Sequence, residues 1–247
     1  METNILVLGS IIIFLAAFLQ GTTGFGFSLF SIPLLTLFIS PKTVIPMILL
    51  VSVIINISVL YNSRKSLNFR IILPIFLFSL IGVPIGAKLL LILPDYILKI
   101  VIGVFILLFG ILFFFNVRFK VKYEKVTRAV VGFFSGLLNG SITMSGPPVI
   151  LFFANDQKGK MHFRAHLSSF FLLLTLVTIP VYIYYGLITK IVISYTLIFS
   201  ISVIIGVVGG NLLIKKIHDD HFGKLTFVII ILMGVLAVYS GIRGVVS

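Results

Sequence analysis

Six stretches of the chain, 43–61, 71–93, 96–115, 163–185, 191–214 and 222–242, are apolar almost throughout and contain no aspartate or glutamate. About 20 predominantly apolar residues carry an α-helix across the hydrocarbon core of a bilayer. A helix also satisfies its own backbone hydrogen bonds there, where water cannot. Of the 247 residues 60% are hydrophobic and only 10% charged, against roughly 25% charged in a soluble domain. Too few polar groups remain to cover a water-facing surface. The predicted fold class is therefore all-α: a polytopic transmembrane helical bundle in the cell membrane, without a sizeable soluble domain. Met1-Glu2-Thr3-Asn4 carries no basic residue ahead of the first apolar run, so that run is expected to be retained rather than cleaved as a signal.

Two further apolar runs are interrupted. The first breaks at Gln20-Gly21-Thr22-Thr23-Gly24-Phe25-Gly26, the second at Asn139-Gly140-Ser141-Ile142-Thr143-Met144-Ser145-Gly146-Pro147-Pro148. Three uninterrupted stretches follow each. Gly82-Val83-Pro84-Ile85-Gly86 recurs as Gly206-Val207-Val208-Gly209-Gly210, and at the same offset Asp95 meets Asp219 and Gly110 meets Gly234. Gln20-Gly21 answers to Asn139-Gly140, and Gly26 to Gly146 after a gap of one. The order of these matches indicates a duplication, frequent in secondary transporters. The expected organisation is one membrane domain with a first repeat at 1–117, a basic cytoplasmic linker at 118–127 and a second repeat at 128–247.

The net charge of +13 sits in short loops: Arg64, Lys65 and Arg70; Arg118, Lys120, Lys122, Lys125 and Arg128; Lys158, Lys160 and Arg164; Lys215, Lys216 and Lys224. This is the pattern of cytoplasmic loops beside anionic headgroups, not of nucleic-acid binding. If each interrupted run crosses fully, the last two clusters fall outside. If each folds back as a re-entrant hairpin, all four are cytoplasmic, the halves form an inverted repeat and both termini lie outside. The positive-inside rule favours the second arrangement.

Broken, glycine-rich backbone survives at membrane depth only when buried in protein or lining a wet cavity. The two breaks carry Gln20, Thr22, Thr23, Ser28, Asn139, Ser141, Thr143 and Ser145. Half-helices that start beside them would aim backbone N–H groups at a bound anion. Gly82/Gly86 and Gly206/Gly210 are instead expected to permit close helix packing. Asn56 and Asn211, inside spans, either bond across helices or touch substrate. All six carboxylates, Glu2, Asp95, Glu124, Asp156, Asp219 and Asp220, fall in loops or at segment ends, which argues against a carboxylate proton relay and a divalent-cation site. His162 and His166 are spaced for a metal without an evident third ligand. Arg164 and His166 are candidates to attract an anion at the cytoplasmic mouth, with headgroup contact as the alternative. With no cysteine, disulfides and thiolate chemistry are excluded, and no cofactor or metal is indicated.

The first break, followed by Ser31-Ile32-Pro33-Leu34-Leu35, resembles the opening motif of the sulfite exporter TauE/SafE family. So does the second break followed by Pro147-Pro148-Val149-Ile150-Leu151, and Arg164-Ala165 matches the family's basic-Ala step. The resemblance covers nearly the whole chain. Two departures are His166-Leu167-Ser168, where the family often has a Thr-Ser pair, and a second break with fewer glycines. The resemblance implies a transporter of small sulfur-containing anions, sulfite or organosulfonates, usually outward.

The expected function is thus a small-anion transporter. Its substrate site is built from Gln20, Thr22, Thr23, Asn139, Ser141, Thr143 and Ser145, opened by Gly21, Gly24, Gly26, Gly140 and Gly146, with Arg164 recruiting the anion. Its partners are the anionic substrate and the bilayer; a homo-oligomer and a proton or sodium as coupling ion are compatible with it. An anion leaving a negative-inside cell is driven by about 2.3 kcal/mol per charge per 100 mV, so export can proceed without a coupling ion, and sodium held by backbone carbonyls is equally compatible. The rivals are an intramembrane lipid-processing enzyme, for which the spans lack acid-base groups, and a structural membrane subunit, which predicts no polar cavity between the breaks.

Overall fold

The computed structural model describes residues 3–115, 124–153 and 159–214. The expected span at 222–242, most of the linker, the charged residues beyond 214 and both chain ends lie outside the described residues. All regular structure among the described residues is helical: α1 (Thr3–Thr23), α2 (Phe27–Leu35), α3 (Pro41–Ser63) with a 3-10 turn at Arg64–Ser66, α4 (Phe69–Ile92), α5 (Asp95–Phe114), α6 (Glu124–Ile142), α7 (Gly146–Phe153), α8 (Lys160–Tyr184) and α9 (Lys190–Leu213).

Local chemistry sets the boundaries. Ser40, Asn68 and Thr189 precede α3, α4 and α9, and their side chains accept from the backbone N–H of Lys42, Arg70 and Val192. These bonds satisfy donors that a helix start leaves free. Gly186, at φ 68°, turns the chain after α8 in a conformation that glycine adopts without strain. Among the described residues, six helices are long and apolar enough to cross a membrane: α1, α3, α4, α5, α8 and α9. Their outward side chains are large and apolar, with Leu197 68% and Ile201 67% exposed, a surface suited to lipid and not to water. The chain is a multi-pass integral membrane protein.

Both interrupted runs form hairpins. The Cβ position of Gly9 near the start of α1 lies 3.6 Å from Leu35 at the end of α2, so α2 returns along α1. α7 lies beside α6, sharing with it an apolar hollow walled by Phe134, Leu138, Pro148 and Leu151. At nine and eight residues, α2 and α7 are only about 13 Å long at 1.5 Å per residue, too short to cross.

The hairpins are stitched to the opposite halves. α1 runs parallel to α9: Gly9 meets Phe199, Gly206 meets Phe14 and Ala17, and Gly210 meets Phe18 and Gly21. α4 runs parallel to α6 in the same way: Gly132 meets Ile75, Gly136 meets Ser79, and Gly140 meets Val83. A Cβ on Gly206 would stand 2.5 Å from the Phe14 carbonyl oxygen, and one on Gly86 would overlap that of Leu137. Gly82, Gly86, Gly206 and Gly210 are packing glycines, as expected; small residues let helix backbones approach this closely. Between the two pairs, α3 and α8 cross antiparallel. The hydroxyl oxygens of Ser52, at the middle of α3, and Thr175 are 3.4 Å apart at the crossing.

The breaks are shorter than expected. Residues 20–23 continue α1 and residues 139–142 continue α6, leaving 24–26 and 143–145 non-helical. The polar side chains do not unwind the helix because their needs are met locally. The hydroxyls of Thr22 and Thr23 donate back to the Leu19 carbonyl at 2.7 and 2.9 Å. Ser141 does the same to Leu137 at 2.8 Å. Such back-bonding is the usual fate of hydroxyls in helices.

Candidate functional site

Gln20 is the hub of the first break. Its amide nitrogen donates to Asn56 of α3 at 2.9 Å, and its amide oxygen accepts the backbone N–H of Phe27, the first residue of α2, at 3.1 Å. One side chain thereby fixes where α1 ends, where α2 starts and how both meet α3. Gly24 and Gly26, at φ 88° and 103°, reverse the chain between them in the left-handed region that glycine tolerates. Thr23 also donates to the Phe25 carbonyl at 2.6 Å.

Asn139 holds the second break in a matching way, donating to Thr178 of α8 at 2.8 Å. Thr143 carries the turn at φ 54°, an unfavourable value for a β-branched residue. Three bonds hold it there: its N–H donates to the Asn139 carbonyl at 3.0 Å, and its hydroxyl reaches the carbonyls of Asn139 and Ile45, each at 3.4 Å. Pro147 and Pro148 follow in the first turn of α7, where their missing N–H groups cost nothing.

A small polar cavity lies between the breaks, with about 40 Å³ open to the centre of a water-sized sphere. The first half supplies Gln20, Gly26, Ser28, Ser52 and Asn56; the second supplies Asn139, Thr143, Ser145, Gly146 and Thr175. Phe25, Leu29, Met144, Ile150 and Phe171 close it with apolar surface. Since a single water needs roughly 10–15 Å³ on this measure, the space suits about three waters or one anion of four or five heavy atoms. Among the described residues, no lysine, arginine, aspartate or glutamate lines it. The N-terminal residues of both short helices reach it, Ser28 in α2 and Gly146 in α7, so the positive ends of two helix dipoles share one chamber.

Of the residues expected to form the site, Gln20, Gly26, Asn139, Thr143, Ser145 and Gly146 converge on this cavity. Gly21, Thr22, Thr23, Gly24, Gly140, Ser141 and Arg164 do not line it. Thr22 and Ser141 spend their hydroxyls on their own helices, and Thr23 shares its one hydroxyl hydrogen between the Leu19 carbonyl of α1 and the Phe25 carbonyl of the turn. Gly21 and Gly140 are where α1 and α6 touch α9 and α4: a Cβ on Gly21 would stand 2.7 Å from the Val207 carbonyl oxygen. Gly24 packs against Arg164, whose Cγ would lie 2.8 Å from an added Cβ. Asn56 and Asn211 both bond across helices, Asn211 donating to Ser58 at 2.9 Å.

Arg164 is not at an exposed mouth but 1% exposed. Its Nη2 donates at 2.7 Å to the carbonyl of Gly21 and at 2.7 Å to Oδ1 of Asn211. It caps one of the last carbonyls of α1, that of Gly21, a position where a cation is favoured. His166 is buried too, stacked on Phe153 at 5.3 Å, with Nε2 accepting the Asn68 N–H at 3.2 Å. Ser52 and Thr175 were not singled out from sequence, since one hydroxyl in an apolar span looks like any other until its face is known.

The family model described as sulfite exporter TauE/SafE matches residues 10–237. No curated protein and no solved structure matches the chain.

Proposed function

Because the chain belongs to the sulfite exporter TauE/SafE family, a family of membrane transporters and not of enzymes, we propose that it exports a small sulfur oxyanion or sulfonate, held in the cavity between the two breaks. The observation that carries this reading is the wall of that cavity. Two helix N-termini, one from each half, and a ring of neutral amides and hydroxyls face a space that no charged side chain among the described residues lines. Oriented dipoles attract an anion without binding it so tightly that it cannot leave.

The proposed motion follows from the packing. The halves are read as inverted in the bilayer, each contributing one hairpin and one crossing helix at the cavity. Backbone-to-backbone glycine contacts make α1 with α9, and α4 with α6, two tight units, each mixing helices from both halves. Alternating access would then rock these mixed units about the Ser52–Thr175 crossing, instead of rocking one repeat against the other.

Proteoliposomes loaded with radiolabelled sulfite test the reading. Release into sulfite-free buffer is expected to exceed that of protein-free vesicles and to accelerate when the inside is made negative. Release equal to that of empty vesicles, for sulfite and methanesulfonate alike, would reject it.

A further inference from the structure

Arg164 carries a full positive charge in the interior of the bundle, and among the described residues nothing neutralises it. Its Nη2 is used by Gly21 and Asn211, both uncharged. Its Nε and Nη1 have no hydrogen-bond partner although both are buried, so most of the N–H donors of a guanidinium are idle. The carboxylates among the described residues are Asp95 at the start of α5 and Glu124 at the start of α6; Glu124 pairs with Arg128. An uncompensated buried charge is among the most costly features a folded protein can hold. An idle buried donor adds its own desolvation cost.

The location is equally specific. Gly24 leaves no room for a side chain between the first break and the Arg164 stem. Phe25, the next residue, lines the cavity and meets Phe163, the neighbour of Arg164, edge-on at 6.1 Å. Arg164 therefore lies behind the first break, outside the cavity. It sits at the same end of the bundle as the 3-10 turn carrying Arg64 and Lys65, which packs against α8. Among the described residues the second break meets no such charge: the carbonyl of Gly140, the counterpart of Gly21, is capped by the neutral hydroxyl of Tyr182 at 2.9 Å.

We propose that the idle Nε and Nη1 of Arg164 form a second anion subsite, which takes an oxyanion passing between the basic end of the bundle and the central cavity. It deepens the anion-transport reading and rests on it for its role, but not for its existence. The bound species is an oxyanion, because several donors on a planar group match several acceptor oxygens. One subsite with charge and one without would make the route asymmetric: capture at the charged end, release from the neutral one.

Calorimetric titration of methanesulfonate into the detergent-solubilised full chain separates the two sites. In Ser52→Leu/Thr175→Leu, whose added bulk fills the cavity, binding is expected to persist. Adding Arg164→Gln to that background should weaken it about tenfold or more, the scale of losing charge-assisted bonds. Arg164→Lys, which keeps the charge but not the planar donors, should weaken it to a lesser extent and serves where the Gln variant does not fold. Undiminished binding in either Arg164 variant overturns the subsite. So does complete loss of binding in the cavity-filled protein, which leaves the central-cavity reading standing. Sulfite flux in the cavity-filled protein equal to wild type would instead sink the central cavity and spare the subsite.

Discussion

Tyr182 donates its hydroxyl to the carbonyl of Gly140 at 2.9 Å, at the position in the second half where the first half has Arg164 bonded to Gly21 at 2.7 Å. Both are carbonyls at the C-terminal end of a helix that stops short of a break, and such carbonyls have no partner within their own helix. Both partners come from α8, near its opposite ends. One helix thus closes both breaks, with a cation at one and a phenol at the other.

Tyr182→Phe removes that cap together with the longer contact of the same hydroxyl, 3.4 Å from the Asn139 carbonyl. Tyr182 is fully buried, so the Gly140 carbonyl would be left without a bond or water. The expected loss is about 1–3 kcal/mol, seen as a lower Tm for the detergent-solubilised protein. An unchanged Tm would mean that the carbonyl finds another partner.

Glycines at the two helix pairs should differ sharply in tolerance. Gly86→Ala pushes a methyl group into the Leu137 carbonyl, where only movement of backbone can relieve it, and is expected to abolish folded protein. Gly209→Ala meets the ring of Phe18 at 3.3 Å, a side chain able to shift, and should fold normally. Monodisperse yield on size-exclusion chromatography reads both. Equal yields would contradict the close approach of α4 and α6.

Gln20 and Asn56 should be energetically coupled. Each removed alone, as Gln20→Met or Asn56→Leu, strands the other's buried amide; removed together they strand neither across α1 and α3. A double-mutant cycle on thermal stability is expected to give a coupling of about 0.5–3 kcal/mol. Strict additivity would show that the bond does not hold α1 to α3.

How much of this could be read from sequence divides along a physical line. The spans were legible because burial in lipid is a property of each stretch alone: 43–61 became Pro41–Ser63, 71–93 became Phe69–Ile92, and 191–214 became Lys190–Leu213. The hairpins were legible in the loop charges, which fall on one side of the membrane only if each interrupted run folds back. Which break residues reach the cavity was not, because that depends on partners far along the chain. Gly21 and Gly24 look alike in sequence, yet one packs on Val207 and the other on Arg164. Arg164 reads from sequence as an anion-attracting group at the cytoplasmic mouth, with headgroup contact as the alternative, because its burial depends on Gly21, 143 residues away. Ser52 and Thr175 gained meaning only from the crossing of α3 and α8.

The central claim is that the anion passes through the chamber between the two breaks, and Thr175→Leu addresses it most directly. The substitution leaves the helix pairs and both carbonyl caps untouched and pushes a larger apolar side chain into a space of about 40 Å³. Labelled sulfite flux in proteoliposomes should fall to the level of protein-free vesicles, while Thr175→Val, which keeps the shape, retains measurable transport. Wild-type flux through correctly folded Thr175→Leu would contradict the account.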